Sequence, residues 1–197
     1  MAYVEDRVVH DADSHLMELP DCLDPWFEPR LRDAYHALPT WRHKQGKPGW
    51  TDPFVSRQDD PEFRAGDAEN ILLRKNYDAL GAFRPADRTR ALDLLGFSSQ
   101  LVFTTFCLGN FGLDQGGDLD LCYAAAQAHN RMMTDFCSAD RRFLATCYVP
   151  LIDFARAETA AREAIALGAK ALLIPSRCPP GHSPSHLGLD PVWAMAQ

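Results

Sequence analysis

The sequence lacks three features that would place the chain at a membrane or on a nucleic acid. No apolar run reaches the ~20 residues of a membrane-spanning helix, and no basic segment followed by a long apolar core marks a secretory signal. There is no basic tract, and 20 Lys and Arg against 27 Asp and Glu give a net charge of −7. We therefore expect a cytoplasmic protein that binds neither membranes nor nucleic acids.

Paired cysteines and the common nucleophile and phosphate motifs are missing as well. The six cysteines are scattered without a C-x-x-C pair, and most lie inside apolar segments, which predicts reduced and mostly buried thiols. The chain has no G-x-S-x-G motif and no Gly-Lys-Ser or Gly-Lys-Thr phosphate loop. The Gly-rich segment 109–117 is a candidate for phosphate binding, with a flexible loop as the simpler interpretation.

The residues that are present divide the chain into a first strand, an irregular segment and a regular remainder. Segment 20–85 contains eight of the 14 prolines and three of the four tryptophans, Trp26, Trp41 and Trp50. Prolines at this density favour turns, loops and short helices, whereas the aromatic residues argue against disorder. We expect an ordered insertion at 20–85 inside one domain that covers 1–197.

The remaining segments alternate between strand and helix patterns. Runs of β-branched and aromatic residues predict buried strands at residues 7–13, 99–106, 142–151 and 169–176. Helices are predicted between and after these strands, at residues 86–96, 118–140 and 153–168, with another starting at 190. The expected N-caps are Asp118, Asp153 and Asp190, and Gly96 and Gly168 mark helix ends. This order predicts an α/β fold with a parallel sheet, either a small open doubly wound sheet or the first half, about four β/α units, of a (β/α)8 TIM barrel.

The first strand ends in side chains that bind metals. Because side chains alternate between the two faces of a strand, Asp11, Asp13 and His15 are expected on one face. A carboxylate and an imidazole suit Zn²⁺, Mn²⁺, Fe²⁺ or Co²⁺ better than Mg²⁺ or Ca²⁺. Asp13 and His15 are therefore candidate metal ligands, although a catalytic metal usually takes three protein ligands. A capping or turn pair at the strand-to-loop junction is the alternative interpretation.

Five segments of the chain resemble, in the same order, the amidohydrolase superfamily. They are VVHDADSHLMELPD (8–21), RALDLLGFSSQLVFTTF (90–106), AQAHNRMMTDFCSADRRFLATCYVPLID (126–153), AIALGAKALLIPS (164–176) and LDPVWAMAQ (189–197). The similarity is to the amidohydrolase-related branch that includes aminocarboxymuconate-semialdehyde decarboxylase and the resorcylate-type decarboxylases. It extends over the N-terminal half of that fold and matches segment 20–85 only loosely.

The resemblance implies a TIM barrel with one divalent metal at its C-terminal face, and we expect zinc there, with manganese, iron or cobalt as alternatives. The family usually has His-x-His on the first strand, and Asp13 and His15 occupy those positions here. Its remaining ligands, a His from the fifth strand and an Asp from the eighth, are expected beyond Gln197, so the site is incomplete and the general base cannot be named. The implied activity is that of a metal-dependent hydrolase or a non-oxidative decarboxylase acting on a small carboxylate or an amide- or ester-type substrate.

Arg177 and His182 are candidate substrate-binding residues in the loop that follows the fourth predicted strand. In a barrel this loop faces the pocket, where both side chains could contact a substrate carboxylate. A solvated Pro-rich loop is the alternative. His129 lies on the apolar stripe of a long predicted helix, which favours a buried core histidine over a ligand.

Two other functions are compatible with the pattern. One is a phosphate- or nucleotide-binding doubly wound protein. The other is an inactive half-barrel that acts only through self-association, because four strands leave two open sheet edges that a second copy could pair. We expect a homo-oligomer with a small-molecule substrate, and His36, His43 and the early tryptophans are candidates for a lid or an oligomer contact.

Overall fold

The structure is a computed structural model that describes residues 2–38, 47 and 49–197. Trp41 and His43 lie outside the described residues. At the centre of the structure is a sheet of four parallel strands in the order β1-β2-β3-β4, formed by His10–His15, Ser99–Phe103, Phe143–Tyr148 and Ala171–Leu173. The predicted parallel α/β arrangement is confirmed, although β1 begins and ends later than 7–13 and β4 is only three residues long.

Seven helices are described along the chain. They are α1 (Pro29–His36), α2 (Asp52–Asp59), α3 (Pro61–Ala65), α4 (Pro85–Leu95), α5 (Leu119–Cys137), α6 (Phe154–Leu167) and α7 (Asp190–Met195). None of the described helices combines the length and the apolar composition needed to cross a bilayer.

Helix ends follow the predicted capping chemistry in α4, α5 and α6. The Asp118 carboxylate accepts hydrogen bonds from the first turn of α5, and Asp153 accepts one from the Arg156 amide at the start of α6. Gly96 and Gly168 end α4 and α6 in the left-handed region, with φ of 73° and 104°.

The predicted cap at Asp190 is wrong. Asp190 is the first residue of α7 and Leu189 is its N-cap, and among the described residues no side chain caps this helix. A 3₁₀ turn at Leu187–Leu189 runs directly into α7, so the chain is already helical at Asp190. The capping side chain lies earlier, because the Nδ1 atom of His186 accepts a hydrogen bond of 3.0 Å from the Gly188 amide.

Segment 20–85 contains the three short helices α1, α2 and α3 and 3₁₀ turns at Asp24–Trp26 and Asn76–Asp78. Prolines occupy the first or second position of each short helix, where their missing N–H has no intrahelical partner to lose. The segment packs on the loop after β2 through aromatic rings: Tyr77 lies 5.3 Å from Trp50 and 5.6 Å from Phe106, between ring centroids.

The buried apolar residues form two clusters. Helix α5 packs against β3 with a stripe of small and apolar residues that includes Ala125, Ala128 and Met133. A second cluster, centred on Val149 and Leu151, joins the end of β3 to α6 and α7. All six cysteines are free thiols, four of them buried, in agreement with the prediction from their apolar surroundings.

Candidate active site at the end of strand β1

The end of β1 is shaped by a β-bulge. Asp11 pairs with Gln100 and Ser14 pairs with Val102, so two residues of β1 lie opposite the single residue between them on β2. The bulge interrupts the strict alternation predicted from the sequence. The Asp11 carboxylate bonds to the backbone of the same strand: its Oδ1 accepts a hydrogen bond of 3.0 Å from the Asp13 amide.

The structure brings Asp13 and His15 together. The Nε2 atom of His15 lies 3.2 Å from Oδ1 of Asp13, and the two side chains are 37% and 85% exposed. Because parallel strands place their carboxyl ends at one edge of the sheet, this pair lies at the edge where sites of such folds are found. A carboxylate and an imidazole at this separation offer one oxygen and one nitrogen donor to a common ligand.

The imidazole of His15 is held from two other directions. Its Nδ1 atom lies 3.1 Å from the Thr105 hydroxyl oxygen, just past the end of β2. Its ring stacks on Phe103, with centroids 5.9 Å apart and planes inclined by 29°. Both ring nitrogens of His15 therefore have polar partners, Asp13 and Thr105. The contacts with Thr105 and Phe103 were not predicted from the sequence.

Glu18 is a buried carboxylate three residues after His15. It is 1% exposed and accepts hydrogen bonds from the Thr105 amide at 3.0 Å, the Phe106 amide at 2.9 Å and the Thr104 hydroxyl. This carboxylate fixes the backbone that carries the Thr105 hydroxyl. The sequence signal was a single acidic residue among Leu16, Met17 and Leu19, which pattern reasoning passed over.

Arg88 of α4 supports the same strand end from inside. Its guanidinium donates to the Ser14 hydroxyl, the His15 carbonyl at 3.0 Å, the Gly81 carbonyl at 3.2 Å and the Gln100 side-chain oxygen at 3.2 Å. Burial lowers the pKa of Arg88 to about 10, which leaves the side chain cationic at neutral pH. Arg88 thus anchors the backbone of His15, and no carboxylate among the described residues pairs with it.

Arg177 and His182 lie elsewhere on the same edge. Arg177 is exposed, and His182 packs on the Phe154 ring at the start of α6, with centroids 4.6 Å apart. Three interstrand steps of about 4.8 Å separate the ends of β1 and β4 by roughly 14 Å. Among the described residues, no hydrogen bond, ion pair or ring contact joins Arg177 or His182 to Asp13 or His15.

His129 is a core residue, as its position on the apolar face of the helix predicted. It is fully buried on α5, and its Nδ1 lies 3.0 Å from the side-chain oxygen of Asn130. That oxygen also accepts from the Tyr148 amide, so His129 is the donor of the pair and its Nδ1 carries the proton. Burial lowers the pKa of His129.

The donor chemistry of Asp13 and His15 fits a divalent metal, but two donors do not complete a metal site. Within the described ranges, no group of three or more His, Cys, Asp or Glu side chains is arranged to hold a metal ion.

Comparisons with known proteins bear on the fold. No protein-family model matches the chain, and no curated protein matches it. Among solved structures, an amidohydrolase from Mycobacterium avium subsp. paratuberculosis K-10 matches with a TM-score of 0.67 and 21% sequence identity. The match covers 97% of this chain and 56% of the amidohydrolase, so the chain spans little more than half of that protein's length. The chain therefore has the fold of part of an amidohydrolase, a partial TIM-barrel-like arrangement of β/α units.

Proposed function

We propose that the chain carries part of the active site of a metal-dependent enzyme of the amidohydrolase type, with Asp13 and His15 as metal ligands. The observation that carries the proposal is the 3.2 Å approach of Asp13 and His15 at the carboxyl end of β1. The fold shared with an amidohydrolase supports it, because sites in barrel folds lie at this edge of the sheet. Hydrolysis or non-oxidative decarboxylation of a small carboxylate, amide or ester is the proposed reaction.

The proposed metal is zinc, with manganese, iron and cobalt as chemically suitable substitutes. Imidazole nitrogen together with a carboxylate oxygen suits these ions better than magnesium or calcium. A divalent metal supplies Lewis acidity toward a carbonyl or carboxylate oxygen. In this chain His15 would contribute Nε2, which faces Asp13, and Asp13 would contribute a carboxylate oxygen and negative charge.

The residues around the pair would keep it in place for binding. Thr105 and Phe103 restrict the His15 ring, and Arg88 holds the His15 carbonyl. Such supporting contacts reduce the conformational entropy that a flexible histidine would lose on binding. Arg177 and His182, which follow β4, are proposed to bind a carboxylate of the substrate. Because they lie away from Asp13 and His15, either the substrate must span this distance or the loop that carries them must move.

Metal binding is tested by titrating the protein with Co²⁺ while recording the histidine ring signals by NMR. A paramagnetic ion bound by Asp13 and His15 broadens the His15 ring protons first, and Asp13→Asn should raise the Co²⁺ concentration needed for that broadening, because it removes one of the two ligands. His10→Gln is the matched control, because His10 is exposed on the same strand and bonds only to Ser99 in the described residues. Equal broadening of all exposed histidines, unchanged in Asp13→Asn, would refute the site.

A homo-oligomer is a separate proposal. In the described sheet, β1 and β4 are the outer strands, and each has one edge that pairs with no other described strand. Such edges pair readily with another chain. Analytical ultracentrifugation tests the proposal: a dimer supports it, and a monomer across the micromolar range refutes it.

A further inference from the structure

We propose that Cys22 and Cys107 form a redox-sensitive thiol pair, which hydrogen peroxide oxidises to a reversible disulfide. The two thiols are hydrogen-bonded to each other, although Cys22 lies near the start of segment 20–85 and Cys107 lies in the 3₁₀ helix that follows β2. Both belong to one apolar cluster, in which Cys107 is a core member and Cys22 packs against the core. Neither thiol takes part in the proposed function, so this inference goes beyond it.

The two thiols differ in their access to solvent. Cys107 is 2% exposed, whereas Cys22 is partly exposed and lines a cavity of about 300 Å³. The hydrogen bond with Cys22 and burial raise the pKa of Cys107 well above the usual value of a thiol. Because the thiolate is the reactive form of cysteine, Cys22 is the thiol that meets the oxidant, and Cys107 reacts second.

The cavity beside Cys22 favours a small and neutral oxidant. Apolar side chains, Trp26 and Phe83 among them, form much of its wall. The carboxylates of Asp21 and Asp135 also line it, and their negative charge repels anionic oxidants such as oxidised glutathione. Hydrogen peroxide carries no charge and is little larger than water, so it fits this cavity and reaches the sulfur of Cys22.

The reaction consumes one peroxide and two thiols. The deprotonated sulfur of Cys22 attacks one peroxide oxygen, the O–O bond breaks, and the departing hydroxide takes up a proton to become water, which leaves Cys22 as a sulfenic acid. The sulfur of Cys107 then attacks the sulfur of Cys22, and the S–S bond forms as the S–O bond breaks. The departing hydroxide takes the proton of the Cys107 thiol and becomes a second water. The two sulfurs together give up two electrons, which reduce the peroxide.

Closing the disulfide requires a local movement of the two sulfurs. They must approach from hydrogen-bond contact to the ~2 Å of an S–S bond. Cys22 lies in a turn, where its amide donates to the Leu19 carbonyl at 3.1 Å, and Cys107 lies in a 3₁₀ helix, so neither sulfur is carried by a strand of the sheet. The disulfide would tie the start of segment 20–85 to the chain that follows β2.

Mass spectrometry of the reduced protein after treatment with hydrogen peroxide tests the proposal, with remaining thiols blocked by N-ethylmaleimide before digestion. We expect a disulfide that removes two hydrogen atoms, links the peptides of Cys22 and Cys107, and disappears on reduction with dithiothreitol. A protease that cleaves at aspartate separates Cys107 from Cys122, because Asp114 lies between them. Cys178→Ser is the matched control, since Cys178 is exposed and lies outside the pair, and it should form the same cross-link. A wild-type protein in which both thiols of the pair stay reduced, or in which Cys22 becomes a sulfinic acid without a cross-link, would overturn the proposal.

Two variants test the order of the steps. In Cys107→Ala the sulfenic acid of Cys22 has no thiol partner, so dimedone, which labels sulfenic acids, should label Cys22 several-fold more than in the wild type. In Cys22→Ser the buried Cys107 should stay reduced. Equal labelling of Cys22 in the wild type and in Cys107→Ala, or oxidation of Cys107 in Cys22→Ser, would contradict the proposal. The cross-link in the wild type is measured without any substitution, so it decides the proposal even where a variant fails to fold.

Discussion

Replacing Arg88 by methionine should destabilise the fold more than any surface substitution on the same helix. The guanidinium is buried, with 6% of the residue exposed, and it donates to four acceptors. Methionine fills a similar length but donates to none of them. The Ser14 hydroxyl and the Gln100 side-chain oxygen, both in buried residues, then lose the arginine as a partner.

The size of the effect follows from these two side chains. A buried polar group left without a partner costs about 1–3 kcal/mol, so the pair costs roughly 2–6 kcal/mol. The His15 and Gly81 carbonyls add to this loss, and removal of the cation's own desolvation penalty offsets part of it. We therefore expect Arg88→Met to lower the free energy of unfolding by about 4 kcal/mol, which lowers Tm by roughly 8–16 °C in a protein of this size.

Urea unfolding monitored by circular dichroism measures the change, and Arg90→Met is the control. Arg90 lies two residues further along α4, is half exposed and pairs with Asp67 at 3.1 Å. Asp67 also pairs with Arg74, so it keeps a cation in the control, and the loss should stay below about 1 kcal/mol. Equal destabilisation by the two variants would refute the view that Arg88 anchors the end of β1.

Two further predictions concern the backbone and the pH dependence of stability. Gly81→Ala should lower the free energy of unfolding in urea by at least ~3 kcal/mol, because the φ of Gly81 is +76° and an added Cβ would lie 2.2 Å from the Arg88 Cα. Gly181→Ala is the control: its φ is +86° but nothing lies near the added Cβ, so only the ~1–2 kcal/mol cost of a left-handed backbone is expected. Burial lowers the pKa of His129 below its ordinary 6.5. Below pH 6.5 the unfolded chain therefore binds a proton that the folded chain does not. The free energy of unfolding should decrease as the pH is lowered, by up to about 1.4 kcal/mol per pH unit. His129→Met should remove that slope just below pH 6.5, and parallel wild-type and variant curves of unfolding free energy against pH would contradict the assignment.

The repeating part of the fold was predictable because it depends on local rules. Asp118 and Asp153 cap their helices as their positions before apolar stripes indicate, and Gly96 and Gly168 end helices in the conformation that favours glycine. The parallel direction of the strands also follows from the alternation of strands and helices, since parallel neighbours need crossovers. The order β1-β2-β3-β4 did not follow, because the same alternation also fits a doubly wound sheet. The exact bounds of β1 did not follow.

The supporting contacts of the site could not be read from the sequence, because they join residues far apart along the chain. Thr105 lies 90 residues from His15, and Glu18 lies 87 residues from Thr105. The bulge in β1 is set by pairing with β2, which period-2 alternation within one strand does not report. Asp13 and His15 were identifiable because they are two residues apart and of types that bind metals.

The hydrogen bonds of Glu18 favour the proposed metal site over the rival phosphate site. Phosphate sites after a strand use free backbone N–H groups at the start of the following helix. Here the amides of Thr105 and Phe106, at the start of the 3₁₀ helix Phe106–Gln115, already donate to the Glu18 carboxylate. The buried Asp114 carboxylate, which accepts a hydrogen bond of 3.0 Å from the Tyr148 hydroxyl, adds a second negative charge to the same loop. Two internal carboxylates disfavour an added anion, so the electrostatics at this edge of the sheet favour a cation beside Asp13 and His15 over a phosphate.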